Sequence, residues 1–462
     1  MTTFSQGSNK FYRFAFLYWI AVLAGVFLWS RQWEIVRLAS TKQQEDLFGL
    51  FGFCVFCVIA LVAYIDFAAN MALSTKKMLL IGVPFLVSLI FLTQTIELSR
   101  KSWDYNQYEA AFRAIVDGAN PYLSNRYLYP PFFAEMMAFV FRIGQHLFPV
   151  LGLGKSSWVF VFYIHQSSLL FFLLFTYNLS IKFAGQVGLD DLTGMLLVSA
   201  IYLFNVPLFR TLSFNQVNFY VLASLFGSLI ALRKYPFLAG VSAALGGFIK
   251  LYPFALSIPL FGMRKWRALI GILAGSVVFI FFETKFFRSL TLWNQFVRFY
   301  LSFPLEQESS LFRNTSPMSF LRNSLSFLGA PSLALTVAFL ILILTILTWF
   351  AIRFFQRENI TLKKDMDFES FCNTGHLLDF SVLSLLIAPS AWEHHYVIAI
   401  PLAIWVFAHR GKDALWQVLI AFVLVFGLPV FNIFPFSYLR MVGLILLLIL
   451  VSPKKIEGSF TI

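Results

Sequence analysis

The sequence predicts an all-α polytopic membrane protein with about 12–14 transmembrane helices and large outer loops that carry short amphipathic helices. Three observations lead there. Of 462 residues, 59% are hydrophobic and only 12% charged, about half the charged share of a soluble domain. With 58 Phe and 19% aromatic residues, the apolar content exceeds what a core of this size could bury from water. Apolar stretches long enough to cross roughly 30 Å of hydrocarbon recur along nearly the whole chain, which reads as a single membrane domain over 1–462. The net charge of +13 falls between these stretches, where topology and anionic headgroups explain it, so membrane lipids are expected as partners and nucleic acid is not.

Taken in order, spans are expected to begin near Phe14, Leu47, Met78, Trp158, Thr193, Val217, Ala268, Pro331, Leu377, Tyr396, Ala414 and Met441. The first resembles a signal anchor that lacks a small-residue cleavage site and is therefore kept. Short basic connections at Lys10 and Arg13, Lys76 and Lys77, Arg233 and Lys234, Arg264 to Arg267, Arg410 and Lys412, and Lys454 and Lys455 mark the cytoplasmic side. This leaves residues 99–154 as a first large outer loop and 284–330 as a second. Within the first, Phe132 to Leu151 is apolar but interrupted by Glu135, Arg142, Gln145 and His146, and reads as an interfacial amphipathic helix. The stretch Phe237 to Phe261 lies between two connections that both belong inside, so it must enter and return as half-helices meeting at Lys250. Broken backbone at membrane depth is tolerated where it lines a cavity. Cys54, Cys57 and Cys372 form no disulfide framework and read as packing residues.

Five strings carry polar chemistry. Asp104 precedes an apolar stripe of Tyr105, Tyr108, Phe112 and Ile115 that ends at Gly118; with Gln107 it reads as a helix cap, or as a general base partly desolvated beside Trp103 and Tyr105, and the two roles are compatible. Asn120-Pro121-Tyr122 and Tyr129-Pro130-Pro131 read as interface anchors or, through Tyr122 and Tyr129, as the floor of a carbohydrate site. Asn215, Gln216 and Asn218 place three amides at a helix start, suited to capping, to an anion or to sugar hydroxyls. Lys250 is a charge at membrane depth whose counter-charge is missing locally; a lipid phosphate would supply one, and snorkelling to an interface is the alternative. Trp392, Glu393, His394 and His395 form the richest polar cluster near a span, with the histidines pointing too far apart to share a metal. Asp365-Met366-Asp367 has the form of a metal-binding pair but reads as a solvated charge run in an inner loop, so no metal site is expected.

Together these strings resemble the GT-C superfamily of membrane glycosyltransferases, and within it the bacterial polyprenol-phosphate-mannose-dependent alpha-mannosyltransferases, over Asp104 to Tyr396. Two features depart from that pattern: two extra spans precede the Asp104 loop, and Asn215 stands where the family tends to have Gly. The resemblance implies an inverting transfer of a sugar, with mannose first among the candidates, from a polyprenyl-phosphate carrier to a glycolipid or cell-envelope glycan. It implies Asp104 as base, Lys250 with His394 or His395 on the leaving phosphate, and no cofactor beyond the lipid-linked donor. It places the enzyme in the bacterial cytoplasmic membrane with an outward-facing site. A lipid or glycolipid transporter is the competing reading; it explains Lys250 and the broken helix but leaves Asp104 without a task.

Overall fold

The computed structural model describes residues 17, 78–80, 82–86, 88, 102–123, 127–150, 157–284, 289–302, 314–329, 331–361, 366–431 and 433–452. The spans expected at Phe14 and Leu47, Cys54 and Cys57, the basic pairs Lys10/Arg13, Lys76/Lys77 and Lys454/Lys455, and Asp365 lie outside these residues; Asp367 is in a helix, its side chain not described. Among the described residues the protein is all helix apart from one isolated bridge between Asn314 and Trp392. The chain forms two compact units, one of Met1–Val87, Ser180–Leu208 and Glu306–Ile462, the other of Ser88–Leu179 and Phe209–Leu305.

The helices are α1 (Trp103–Val116), α2 (Pro131–Val150), α3 (Ser157–Gln186), α4 (Asp191–Leu203), α5 (Val206–Ser213), α6 (Asn218–Ala231), α7 (Pro236–Ile249), α8 (Ser257–Gly262), α9 (Trp266–Glu283), α10 (Thr291–Ser302), α11 (Pro317–Phe327), α12 (Ser332–Thr361), α13 (Met366–Ile387), α14 (Ile400–Arg410), α15 (Leu415–Phe422) and α16 (Leu439–Leu450). Among the described residues three are long and apolar enough to cross a membrane, namely Ser157–Gln186, Trp266–Glu283 and Leu333–Glu358, or four if α4 and α5 form one bent span. The apolar helices Asn218–Ala231, Pro236–Ile249, Cys372–Ile387, Leu415–Gly427 and Phe436–Leu450 are shorter, at 10–17 residues. Helices α6 and α7 have 14 residues each, about 21 Å of rise, because each stops at polar residues that build a site rather than continuing across the bilayer.

That shortening is clearest in the second unit. Helices α6 and α7 pack antiparallel through a ladder in which Ser242 Oγ donates to the Ser224 carbonyl at 3.0 Å and Ser228 Oγ to the Ala239 carbonyl at 2.9 Å. Gly240 lies against Ala268 and Ile272 of α9, Gly271 against Phe237, and Gly275 against Ala244, while the Phe248 and Phe279 rings meet at 5.4 Å. Residue numbers rise together along this contact, so α7 and α9 run parallel. Two parallel helices need a return between them, and the 3₁₀ turn Tyr252–Leu256 with α8 supplies it. Its rise of about 19 Å matches the about 21 Å of α7. The entering and returning segment read from the basic loops is therefore present. Its break falls at Lys250, whose φ of −143° and ψ of 136° end α7. Helix α2 begins beside this pair, Phe132 meeting both Phe248 and Phe279, and it exposes an apolar stripe of Met136, Phe139, Ile143 and Leu147.

In the first unit, a buried ion cluster joins α12 to α13. Arg353 grips both oxygens of Asp379 at 2.9 Å, and Arg357 donates to the same carboxylate at 3.0 Å. Cys372, on α13, is buried and unbridged.

Candidate active site

Asp104 is not the cap of its helix. Ser102 is: its backbone is extended, and its hydroxyl accepts the Tyr105 N–H at 3.2 Å, leaving Asp104 in the first turn with its carboxylate free for other contacts. The helix ends where expected, with Gly118 at φ +73°. Its start is clamped from a distance, since the Ser102 N–H donates to Asn215 Oδ1 at 3.1 Å and the Ser102 hydroxyl to the Phe214 carbonyl.

Asn215 can do this because its backbone sits at φ +53°, the left-handed region that Gly enters freely and that Asn is among the few other residues to tolerate. The Asn215 carbonyl also accepts from His165 Nε2 at 2.9 Å, so the residue positions α1, while its buried Nδ2 has no hydrogen-bond partner among the described residues.

Lys250, 3% exposed, finds partners in amide oxygens. Its Nζ donates to Asn218 Oδ1 at 2.7 Å and to Gln216 Oε1 at 3.2 Å, and it lies 5.0 Å from the centre of the Tyr129 ring. The Tyr108 and Tyr129 hydroxyls donate to the same Gln216 oxygen at 3.0 and 3.1 Å. Burial pushes both phenols above their ordinary range, so they stay protonated donors. The Gln216 amide also pulls the Asp104 carboxyl down, as a hydrogen-bond donor does. Asp104 and Lys250 are thus linked through one amide. Burial pushes the Asp104 carboxyl up to about 6, against the opposing pull of the Gln216 hydrogen bond and the Lys250 charge.

The remaining expected residues divide. Asn120 Oδ1 accepts the Tyr122 N–H at 2.9 Å, a turn-forming bond. Tyr122 is buried, donates to the Tyr129 carbonyl at 3.1 Å and stacks on Phe299 at 5.4 Å, so it packs the loop, and of the two tyrosines it is Tyr129 that faces Lys250. Trp392, Glu393, His394 and His395 belong to the first unit. There Glu393 is held by Arg440 at 2.8 Å, and Arg440 also donates to the Val425 and Leu428 carbonyls around the π turn Val423–Gly427. This ion pair fixes one oxygen of Glu393, Oε1. His395 Nδ1 accepts the Trp392 N–H at 3.4 Å, and the two imidazoles meet edge to face at 4.5 Å in a 3₁₀ turn.

Sequence reasoning missed His165, Tyr108 as a donor, and the clamp on the Trp392 loop. In that clamp Asn314 Nδ2 donates to the Pro389 carbonyl at 2.8 Å and Thr315 Oγ1 to the Ala391 carbonyl at 2.7 Å. His165 and Gln166 carried a signal, as a polar pair inside an apolar run. Asn314 and Thr315 carried none, since their partners lie more than 70 residues away.

The fold is that of a helical membrane protein, and the linked Asp104 and Lys250 bring an acidic and a basic side chain together in one buried site. The profile of glycosyltransferase family 87 matches residues 127–366, just over half of the chain. The chain belongs to that family, a GT-C-type family, and is a membrane glycosyltransferase. The match takes in Tyr129, Asn215, Gln216 and Lys250 and begins after Asp104. No curated protein and no solved structure matches the chain. Family membership favours the enzyme over the transporter reading.

Proposed function

We propose that this glycosyltransferase moves a sugar, with mannose first among the candidates, from a polyprenyl-phosphate carrier to a lipid-linked or cell-envelope glycan at the outer face of the bacterial cytoplasmic membrane. The observation that carries the reading is the Gln216 amide, which bears on both Asp104 and Lys250. As an acceptor hydroxyl oxygen bonds to the anomeric carbon, Asp104 takes its proton, and the bond from that carbon to the phosphate oxygen breaks with inversion. The electron pair leaves on polyprenyl phosphate, where Lys250 and the free Asn215 Nδ2 are suited to the growing charge. A carboxyl near pH 6 is largely ionised at neutrality yet basic enough to assist. A monoester-type leaving group asks for fewer cations than a nucleotide diphosphate, so the reading calls on no metal.

The test is to incubate the purified protein with a panel of radiolabelled polyprenyl-phosphate sugars and membrane glycolipids. The reading expects one sugar to be transferred from its lipid carrier. Transfer from nucleotide sugars alone, or none at all, would refute it.

A further inference from the structure

The carboxylate of Glu283 plays no part in the Asp104 network. It closes α9 at the end where α7 reaches Lys250, one turn beyond Phe279, which meets Phe248. Its Oε2 accepts the Trp293 Nε1–H at 3.0 Å, whereas its Oε1 is buried and has no hydrogen-bond partner among the described residues. Leaving a buried acceptor oxygen unmade is costly, so the position calls for a donor from a ligand. Glu135 of α2 is a second carboxylate whose charge bears on Glu283. Aromatic rings complete the surroundings. Trp293 meets Phe248 at 5.6 Å and Phe296 at 5.8 Å, Phe296 and Tyr127 each meet Tyr122 at 5.7 Å, and Tyr127 is 5.6 Å from Tyr129, whose ring faces Lys250. Glu283 is therefore set off from the Lys250 site by a short step of tyrosine rings. Acceptor oxygens beside indole and phenol rings suit a sugar, which presents hydroxyl donors on its edge and C–H groups on its face. Among the described residues no third carboxylate, His or Cys joins the two acids to make a metal set.

We propose that Glu283 and Trp293 hold a sugar ring beside the Lys250 site, with Glu283 Oε1 accepting its hydroxyl. The inference rests on the glycosyl-transfer reading, and the ring belongs either to the acceptor or to the donor.

The test uses the full chain in detergent, with saturation-transfer NMR against a panel of methyl pyranosides and steady-state kinetics in both substrates. For Glu283→Gln, which keeps an acceptor for Trp293, the thermal midpoint should stay at the wild-type value while glycoside contact falls. One KM should rise about tenfold with kcat nearly unchanged, as expected for a lost buried hydrogen bond. A shift in acceptor KM assigns the ring to the acceptor, and a shift in donor KM to the donor. Trp293→Phe, which drops the N–H and keeps the bulk, should weaken glycoside contact in the same direction. Absence of glycoside contact in the wild-type protein, or a folded Glu283→Gln with unaltered contact and unaltered KM values, would overturn the proposal. If no polyprenyl-phosphate sugar supports transfer while glycoside contact is present and Glu283-dependent, the donor assignment falls and the sugar site stands.

Discussion

An amide can face a lysine only through its oxygen, and that rule orients Gln216 and Asn218 without any hydrogen being seen. The Asp104 carboxyl depends on the result. Its ionised form is favoured by the Gln216 hydrogen bond, so Gln216→Leu should raise its pKa above about 6. Because the base works ionised, activity rises with pH through that value. The acid limb of kcat/KM should then move upward, by about one unit if the lost bond is worth about 1.4 kcal/mol. The variant should be most impaired at pH 6 and least at pH 8. A limb that stays at its wild-type position would show that Gln216 does not bear on the base. At this scale the sequence made Asp104, Gln216 and Lys250 visible as polar residues in apolar surroundings. It could not show that they meet, because their links span 34 residues for Lys250 and Gln216 and 113 for Ser102 and Asn215. The cap was misassigned for a local reason: Ser102 and Asp104 are both good caps, and two residues decide which is used.

Among elements, the parallel pair of α7 and α9 decides where Lys250 lies. The contact depends on glycine: a Cβ on Gly240 would sit 1.9 Å from the Ala268 carbonyl oxygen, and one on Gly271 2.1 Å from that of Phe237. Small residues at such crossings let backbones approach in a membrane. Gly240→Ala should therefore destabilise the protein by about 1–3 kcal/mol, the range for forced overpacking. Gly185→Ala in α3, with open space around its Cβ, should be neutral or slightly stabilising. Equal thermal midpoints for the two variants would contradict the packing. The sequence revealed the return segment through parity alone, since two basic connections on one side cannot be joined by a single crossing. The shortness of α6 and α7 was hidden, because hydropathy counts apolar residues whether or not the helix through them is broken.

For the whole molecule, composition settles the class, because no water-soluble core could take up this much Phe and so little charge. Orientation follows from the basic turns. With Cys54, Cys57 and Cys372 replaced, Leu123→Cys in the α1 to α2 loop, where Leu123 is 77% exposed, should react with an impermeant thiol reagent from outside intact cells. Lys234→Cys, in the turn between α6 and α7, should react only after lysis. The reverse pattern would put the candidate site on the inner face. The cluster at Trp392 to His395 was legible as polar residues near a span, but its ion pair to Arg440 and its clamp to Asn314 were not, since neither partner is near it in sequence.

The most direct test is Asp104→Asn, measured for both donor binding and transfer. Ser102 remains the cap and Asn still accepts from Gln216, so stability should change by well under about 1 kcal/mol. Donor binding should persist, while transfer should fall by about a hundredfold or more, as expected when a general base is lost. A folded variant that binds donor and transfers sugar at near the wild-type rate would contradict the account.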